Sequence, residues 1–214
     1  MPSLRQVLAA HAPLLVIDAA SSRVQVGWLE AGGGAGRWAA SEEESGIAIF
    51  RGIEQLGVDV AAAGAFVFCD GPGSILGIRT VAMALRAWTT LKPRPIFAYT
   101  SLAVVAHAQP EPELTVIADA RRDAWHTFRR GHGLHRLPTA GLAGALAMPE
   151  GFRHWTPLPP GVRLTPYSVG DLLDGTAEHD LLRSTSAPDA FLHEEPSYVT
   201  WTPQIHRAQA PGLR

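Results

Sequence analysis

The sequence predicts an α/β protein of two lobes built on one plan. Three observations carry this reading. Short apolar runs alternate with segments of helical periodicity through the first half of the chain. The stretch "LLVIDAASSRVQVGWL" (14–29) returns as "LTVIADARRDAWHTFRR" (114–130), about 100 residues later. In both, an apolar run ends in Asp-Ala, and alternating residues come back after a few polar ones. Between them lies "CDGPGSILGIR" (69–79), a glycine-rich turn that joins a strand-like run to a helix-like one. Composition agrees: of 214 residues, 46% are hydrophobic and 18% charged, enough for a real core and too apolar for a disordered chain. The net charge of −2 leaves no overall footprint for direct nucleic-acid binding, although a basic patch needs only local clustering.

The elements follow in order. Leu14 to Asp18 is a strand, and Val24, Val26 and Trp28 alternate with polar residues or glycine as a second strand, so a hairpin turns at Ala19 to Ser22. "AGGGAG" is a turn and "RWAAS" a third strand. A helix from about Glu43 to Leu56 places Ile49, Phe50, Ile53 and Leu56 on one face. Ser41 and Glu44 have capping-box spacing, and Gly57 stops the helix. "AFVFC" is the next strand, followed by the glycine turn and a helix from about Gly77 to Leu91 with Ile78, Val81, Ala82, Leu85 and Trp88 in phase. From periodicity alone that stripe faces the chain's own sheet. "IFAY" is a strand and "SLAVVAHA" a short helix capped by Thr100 or Ser101. After the second hairpin, "GHGLHRL" reads as a strand, "TAGLAGALA" as a short helix, and "FRHWTPLPPGVRL" as strand and turn. "SVGDLLDG" and "EHDLLRS" read as short helices. The division expected is an N-terminal lobe over 1–110, a C-terminal lobe over 111–200 and a loose tail over 201–214.

Several chemistries are excluded. No Lys-Ser/Thr pair follows the glycines, so the turn is not a P-loop. Gly71, Gly73 and Gly77 miss the dinucleotide fingerprint, with Leu76 where its third glycine belongs. Ser74 lacks the glycine of a nucleophile elbow. His132 and His135 sit in a Gly-rich stretch without a neighbouring carboxylate or thiol, and "HEEP" (193–196) lacks a second histidine, so no metal site is expected. Cys69, the one cysteine, forms no intramolecular disulfide and reads as a buried, inert thiol. The N-terminal stretch lacks the pattern of a leader, and no run reaches the ~18 apolar residues of a membrane span, so the expected location is cytoplasmic.

Three segments together, "VIDAASSRVQVGWL", "DGPGSILGIRTVAMALRAW" and "VIADARRDAWHTF", resemble the TsaB family, the accessory subunit of bacterial tRNA threonylcarbamoyladenosine synthesis. "EPSYVT" (195–200) resembles that family's Glu-Pro-x-Tyr-Leu-Arg. The order and spacing agree over about 14–200, and the glycine turn between strand and helix is the specific element. The sequence departs from the family at Ala19, where threonine is usual, and at Ile75-Leu76, where Phe-Thr is usual. It departs also at Glu44-Ser45 for His-Ser, at Phe50 for proline and at Thr200 for arginine.

The resemblance implies the actin/Hsp70/sugar-kinase fold, with two duplicated lobes of mixed β-sheet flanked by helices. It implies a noncatalytic partner that supports a TsaD-like paralogue in threonylcarbamoyl transfer to tRNA adenosine beside the anticodon. A TsaE-like ATPase joins through the complex, and tRNA is met only indirectly. Asp18, Ser21 and Asp119 occupy vestigial nucleotide-site positions. Gly71, Pro72, Gly73, Ser74, Gly77 and Arg79 form a structural loop that aims its helix. That helix and the one before it form the partner face, through Ile47, Phe50, Ile53, Ile78, Val81, Ala82 and Leu85, with Arg86 solvated. No intrinsic cofactor is implied, and ATP or ADP at a subunit junction stays open. The competing readings are a phosphotransferase or ATPase of the same fold, and a homodimeric paralogue outside the tRNA pathway that uses the same helices.

Overall fold

The computed structural model describes residues 1–32 and 36–191. Its elements are α1 (Leu4–His11), β1 (Leu14–Asp18), β2 (Val24–Leu29), β3 (Arg37–Ser41), α2 (Ser45–Leu56), β4 (Ala65–Gly71), α3 (Ile75–Leu91), β5 (Ile96–Thr100) and α4 (Ser101–Ala108). They continue as β6 (Thr115–Asp119), β7 (Ala124–Arg129), β8 (Gly133–Pro138), β9 (Leu146–Pro149), β10 (Arg163–Thr165), α5 (Val169–Gly175) and β11 (Arg183–Ser184).

The repeat read from Asp-Ala is a repeat of topology. One sheet runs β11-β5-β4-β1-β2-β3 and the other β10-β9-β6-β7-β8. In each, three strands meander antiparallel, and the next two strands add parallel on the far side of the first. The duplicated units differ in cover. The first carries α2 and α3 at the places where the second has a 3-10 turn at Thr139–Gly141 and an irregular loop over 150–162. Strands β1 and β4 are buried at every residue, the pattern of strands covered on both faces. Beneath the second sheet, Ile117, Trp125, Leu146 and Met148 form a separate cluster closed by Leu142, Leu158 and Val162, so loop side chains do what helices do in the first.

Helix α4 packs against β4, β5, β6 and β7 and so joins the two sheets. Its first six residues are all buried, which matches a helix that is apolar all round. The lobes are not divided cleanly at 110. Val169, Leu172, Leu173, Leu182 and Ala190 belong to the core of the first sheet, and β11 pairs with its edge strand β5. Gln25 on β2 ties this return, donating to the Tyr167 carbonyl at 3.0 Å and accepting the Val169 N–H at 2.9 Å, both buried.

Local expectations fail in four places. Helix α1 has a full Ser3–Gln6 capping box that the sequence reading passed over. Helix α2 has Glu44 at its N-cap with no side-chain bond, because Ser41 ends β3 and accepts the Glu43 N–H instead. "TAGLAGALA" is a 3-10 turn and a strand, since Gly144 takes φ 77° and Leu146–Pro149 pairs with β6. "EHDLLRS" is turn and the short β11, where pairing with β5 overrides weak helical periodicity. The tail and the "EPSYVT" and "HEEP" stretches lie outside the described residues.

Candidate functional site

The turns that follow β1, β4 and β6 converge on a cleft of about 430 Å3. Its walls are Ala20 and Ser21 from the first hairpin, the glycine loop with Arg79, Ala118 to Arg121 from the second hairpin, and the Phe152–Trp155 stretch. The cleft thus gathers Ser21, Asp119 and the glycine loop from three distant parts of the sequence.

The glycine loop approaches protein backbone. A Cβ on Gly73 would sit 2.4 Å from the Ala20 carbonyl oxygen, and one on Gly77 would sit 2.4 Å from that of Ala19. Gly71 holds φ 122°, and the Gly71–Pro72 peptide is cis. The Ser74 N–H donates to Ala20 O at 2.7 Å, and the Ser101 hydroxyl donates to Pro72 O at 2.6 Å. Ser74 Oγ then accepts the Gly77 N–H at 3.3 Å and caps α3. The loop is therefore a brace between hairpin and helix, and its smallness serves that close approach.

The carboxylates are committed in the same way. Asp18 is fully buried and accepts from Tyr99 Oη at 2.6 Å, Tyr167 Oη at 2.8 Å and the Ala20 N–H at 2.9 Å. Burial pushes its pKa up against those bonds. It points into the core. Ser21 is turned on its own strand, donating to Arg23 O and accepting the Arg23 N–H. Asp119 accepts the N–H groups of Trp155 and Thr156, each at 2.7 Å, and that of Arg121. Burial raises its pKa, but those backbone donors outweigh it and hold the carboxyl below its usual range. It staples the 150–162 loop to the second hairpin. That hairpin turns through Arg121, Arg122 and Asp123 at φ 60°, 54° and 54°. Three successive left-handed residues other than glycine cost on the order of 1 kcal/mol each. Thr139 buttresses the turn, its hydroxyl donating to Asp123 Oδ1 at 2.6 Å.

Three cleft residues escaped the sequence reading. Asp70 is buried beside Arg183, and burial lifts its pKa to about 6 against that partner. Arg153 and Trp155 come from a loop with no periodic signal. Only the position of Asp70 inside the quoted glycine motif could have flagged it.

The expected partner face is partly corrected. Ile78, Val81, Ala82 and Leu85 are buried in the chain's own structure, as is Ile53, because α2 and α3 turn these residues onto the sheet. Ile47 and Phe50 stay exposed, and Ile75, Leu76 and Met83 join them. Phe50 meets the half-buried Trp88 edge to face at 6.2 Å. Arg86 is not simply solvated: it donates to Pro188 O at 2.9 Å and pairs with Asp189, as Arg79 does at 3.6 Å. Cys69 is buried, and burial with the charges of Asp18 and Asp70 raises its thiol pKa well above the ordinary value.

This doubled sheet topology has solved counterparts. YeaZ from Pseudomonas aeruginosa superposes with a TM-score of 0.57 at 21% identity, over 76% of this chain and 89% of that one. The chain has the fold of YeaZ. An uncharacterized Pseudomonas aeruginosa protein, described as similar to the peptidase YeaZ, gives 0.54 at 20% identity, over 79% of this chain and 97% of that one. The architecture they share is two mixed sheets flanked by helices. No family model and no curated protein matches the sequence. Among the described residues, no helix is long and apolar enough to cross a membrane.

Proposed function

We propose that this chain is a noncatalytic, TsaB-like subunit that holds a TsaD-like enzyme in the threonylcarbamoyl modification of tRNA. The observation that carries the reading is the exposed apolar face of α2 and α3. Ile47, Phe50 (55% exposed), Leu76 (76%) and Met83 (62%) lie on the two helices whose inner faces are committed to the sheet. Large apolar side chains left in water on adjacent helices suit helix-to-helix docking. The sequence motifs and the shared fold with YeaZ, another name for TsaB, support the same reading. A TsaE-like ATPase joins through the TsaD-like subunit, and a nucleotide at the subunit junction belongs to this proposal.

The state of the cleft argues against the phosphotransferase alternative. Asp18 is turned into the core, and Asp119 is saturated by backbone donors. A peptidase mechanism on Cys69 is opposed by its burial and its raised pKa. The deciding experiment is size-exclusion chromatography with mass detection of this protein mixed with its own organism's TsaD-like paralogue. A complex is expected at micromolar concentration, and Phe50→Glu or Met83→Glu should abolish it. A homodimer disrupted by the same substitutions, with no heterocomplex, would favour the paralogue reading instead. Calorimetry with ATP and magnesium should show no binding to the isolated chain, and heat appearing only with the complex would place the nucleotide at the junction.

A further inference from the structure

The second hairpin and the loop stapled to it build a surface that the partner role does not use. The Arg121 guanidinium lies 3.9 Å from the centre of the Trp155 ring. Trp155 still keeps 61% of its surface exposed at the edge of the cleft. Arg121 stands on the left-handed turn over residues 121–123, and Trp155 is pinned by its own N–H to Asp119. Both halves of the stack are thus held through backbone, because Asp119 accepts the N–H of Arg121 and of Trp155. Arg153, two residues before Trp155, also lines the cleft, and Arg79 closes its other side. The acids facing this rim are occupied: Asp119 by three backbone N–H groups, Asp70 by Arg183 and Asp189 by Arg79 and Arg86. The charge left open at the mouth is cationic, despite a net charge of −2 for the whole chain.

We propose that the mouth of this cleft binds single-stranded nucleic acid, with one base stacked on the Trp155–Arg121 pair and an adjacent phosphate on Arg153. A rigid aromatic ring beside arginines is the arrangement that takes unstacked bases, because every base has a π-face and every linkage a charge. The glycine loop is packed tightly against Ala19 and Ala20 at the inner side of the cleft, and the Trp155–Arg121 stack stands exposed at its edge. The binding mode is therefore one of stacking at the rim. It does not depend on the TsaD-like partner, and its test uses the full chain alone, so either reading can fail without the other.

The probe is a fluorescein-labelled single-stranded RNA of about 12 nucleotides, followed by anisotropy at ~0.1 M salt. Saturable binding is expected, weakened by added salt and weaker for a duplex of the same length. Trp155→Ala should weaken it roughly five- to hundredfold, the range of one base stacked on one aromatic ring. Trp155→Phe should restore most of it, and Arg153→Glu should weaken it and lower its salt dependence, which Trp155→Ala leaves unchanged. Arg163→Ala, on β10 and paired with Glu111, should leave it unchanged. Circular dichroism melting of each variant checks that the fold is retained. The proposal is overturned by no binding at about 100 μM, by equal affinity for duplex and single strand, or by equal losses for Arg163→Ala and Trp155→Ala. It is overturned also if AMP binds as tightly as the RNA, which would make the ligand a free nucleotide.

Discussion

Gly77 shows how one missing methyl group organises the centre of the molecule. Its added Cβ would meet a backbone oxygen on the first hairpin turn at 2.4 Å, and backbone cannot rotate away as a side-chain tip can. Gly77→Ala should cost about 1–3 kcal/mol, read from the midpoint of urea unfolding. Asp70 is a second case. Its folded pKa near 6 lies above the ordinary 3.8, so the folded state holds the proton more tightly than the unfolded chain does. Stability from this group is greatest below pH ~4 and falls as pH rises towards ~6, by on the order of 2–3 kcal/mol. Asp70→Asn cannot ionise, so its melting temperature relative to the native protein should climb between those limits. A constant difference would show that the shift is absent. Cys69, buried and with its thiol pKa raised, should resist alkylation in the folded protein and react only on unfolding, as mass spectrometry would report.

At the scale of elements, α3 has two faces with opposite duties. Val81 and Leu85 lie in the core, while Met83 between them is 62% exposed. Val81→Glu or Leu85→Glu should destabilise the monomer by more than about 4 kcal/mol, since each buries an unpaired charge. Met83→Glu should shift stability by only about 0.5 kcal/mol, and Phe50→Glu by about 1 kcal/mol through the lost ring contact with Trp88. Thermal melting of the four variants, set beside complex formation, separates a folding defect from a docking defect. The sequence made α3 and its Ser74 cap legible because a 3.6-residue apolar stripe and a polar cap are local signals. Periodicity put the stripe on the chain's own sheet, as observed, whereas the partner duty that the resemblance implied for Ile78, Val81, Ala82 and Leu85 fails because these side chains are already buried.

Across the whole molecule, two units with one strand order share α4, and the chain returns from the second to finish the first. A fragment ending at residue 110 should therefore lack cooperative unfolding, because Val169, Leu172, Leu173 and Leu182 complete its core. A sharp calorimetric transition in that fragment would contradict this.

By itself the sequence determined the paired hairpins, the glycine turn between β4 and α3, and the inert burial of the one thiol. These rest on alternation, helical periodicity, turn chemistry and an internal repeat, all signals carried by neighbours in the chain. Only the tertiary structure decided that Asp18 faces two tyrosines in the core, that Asp119 holds the Trp155 loop, that the glycines clear a path for backbone, and that Arg79 and Arg86 meet Asp189. Each of those outcomes is a contact between residues far apart in sequence. A carboxylate or a glycine carries no local mark of the partner that folding will bring to it.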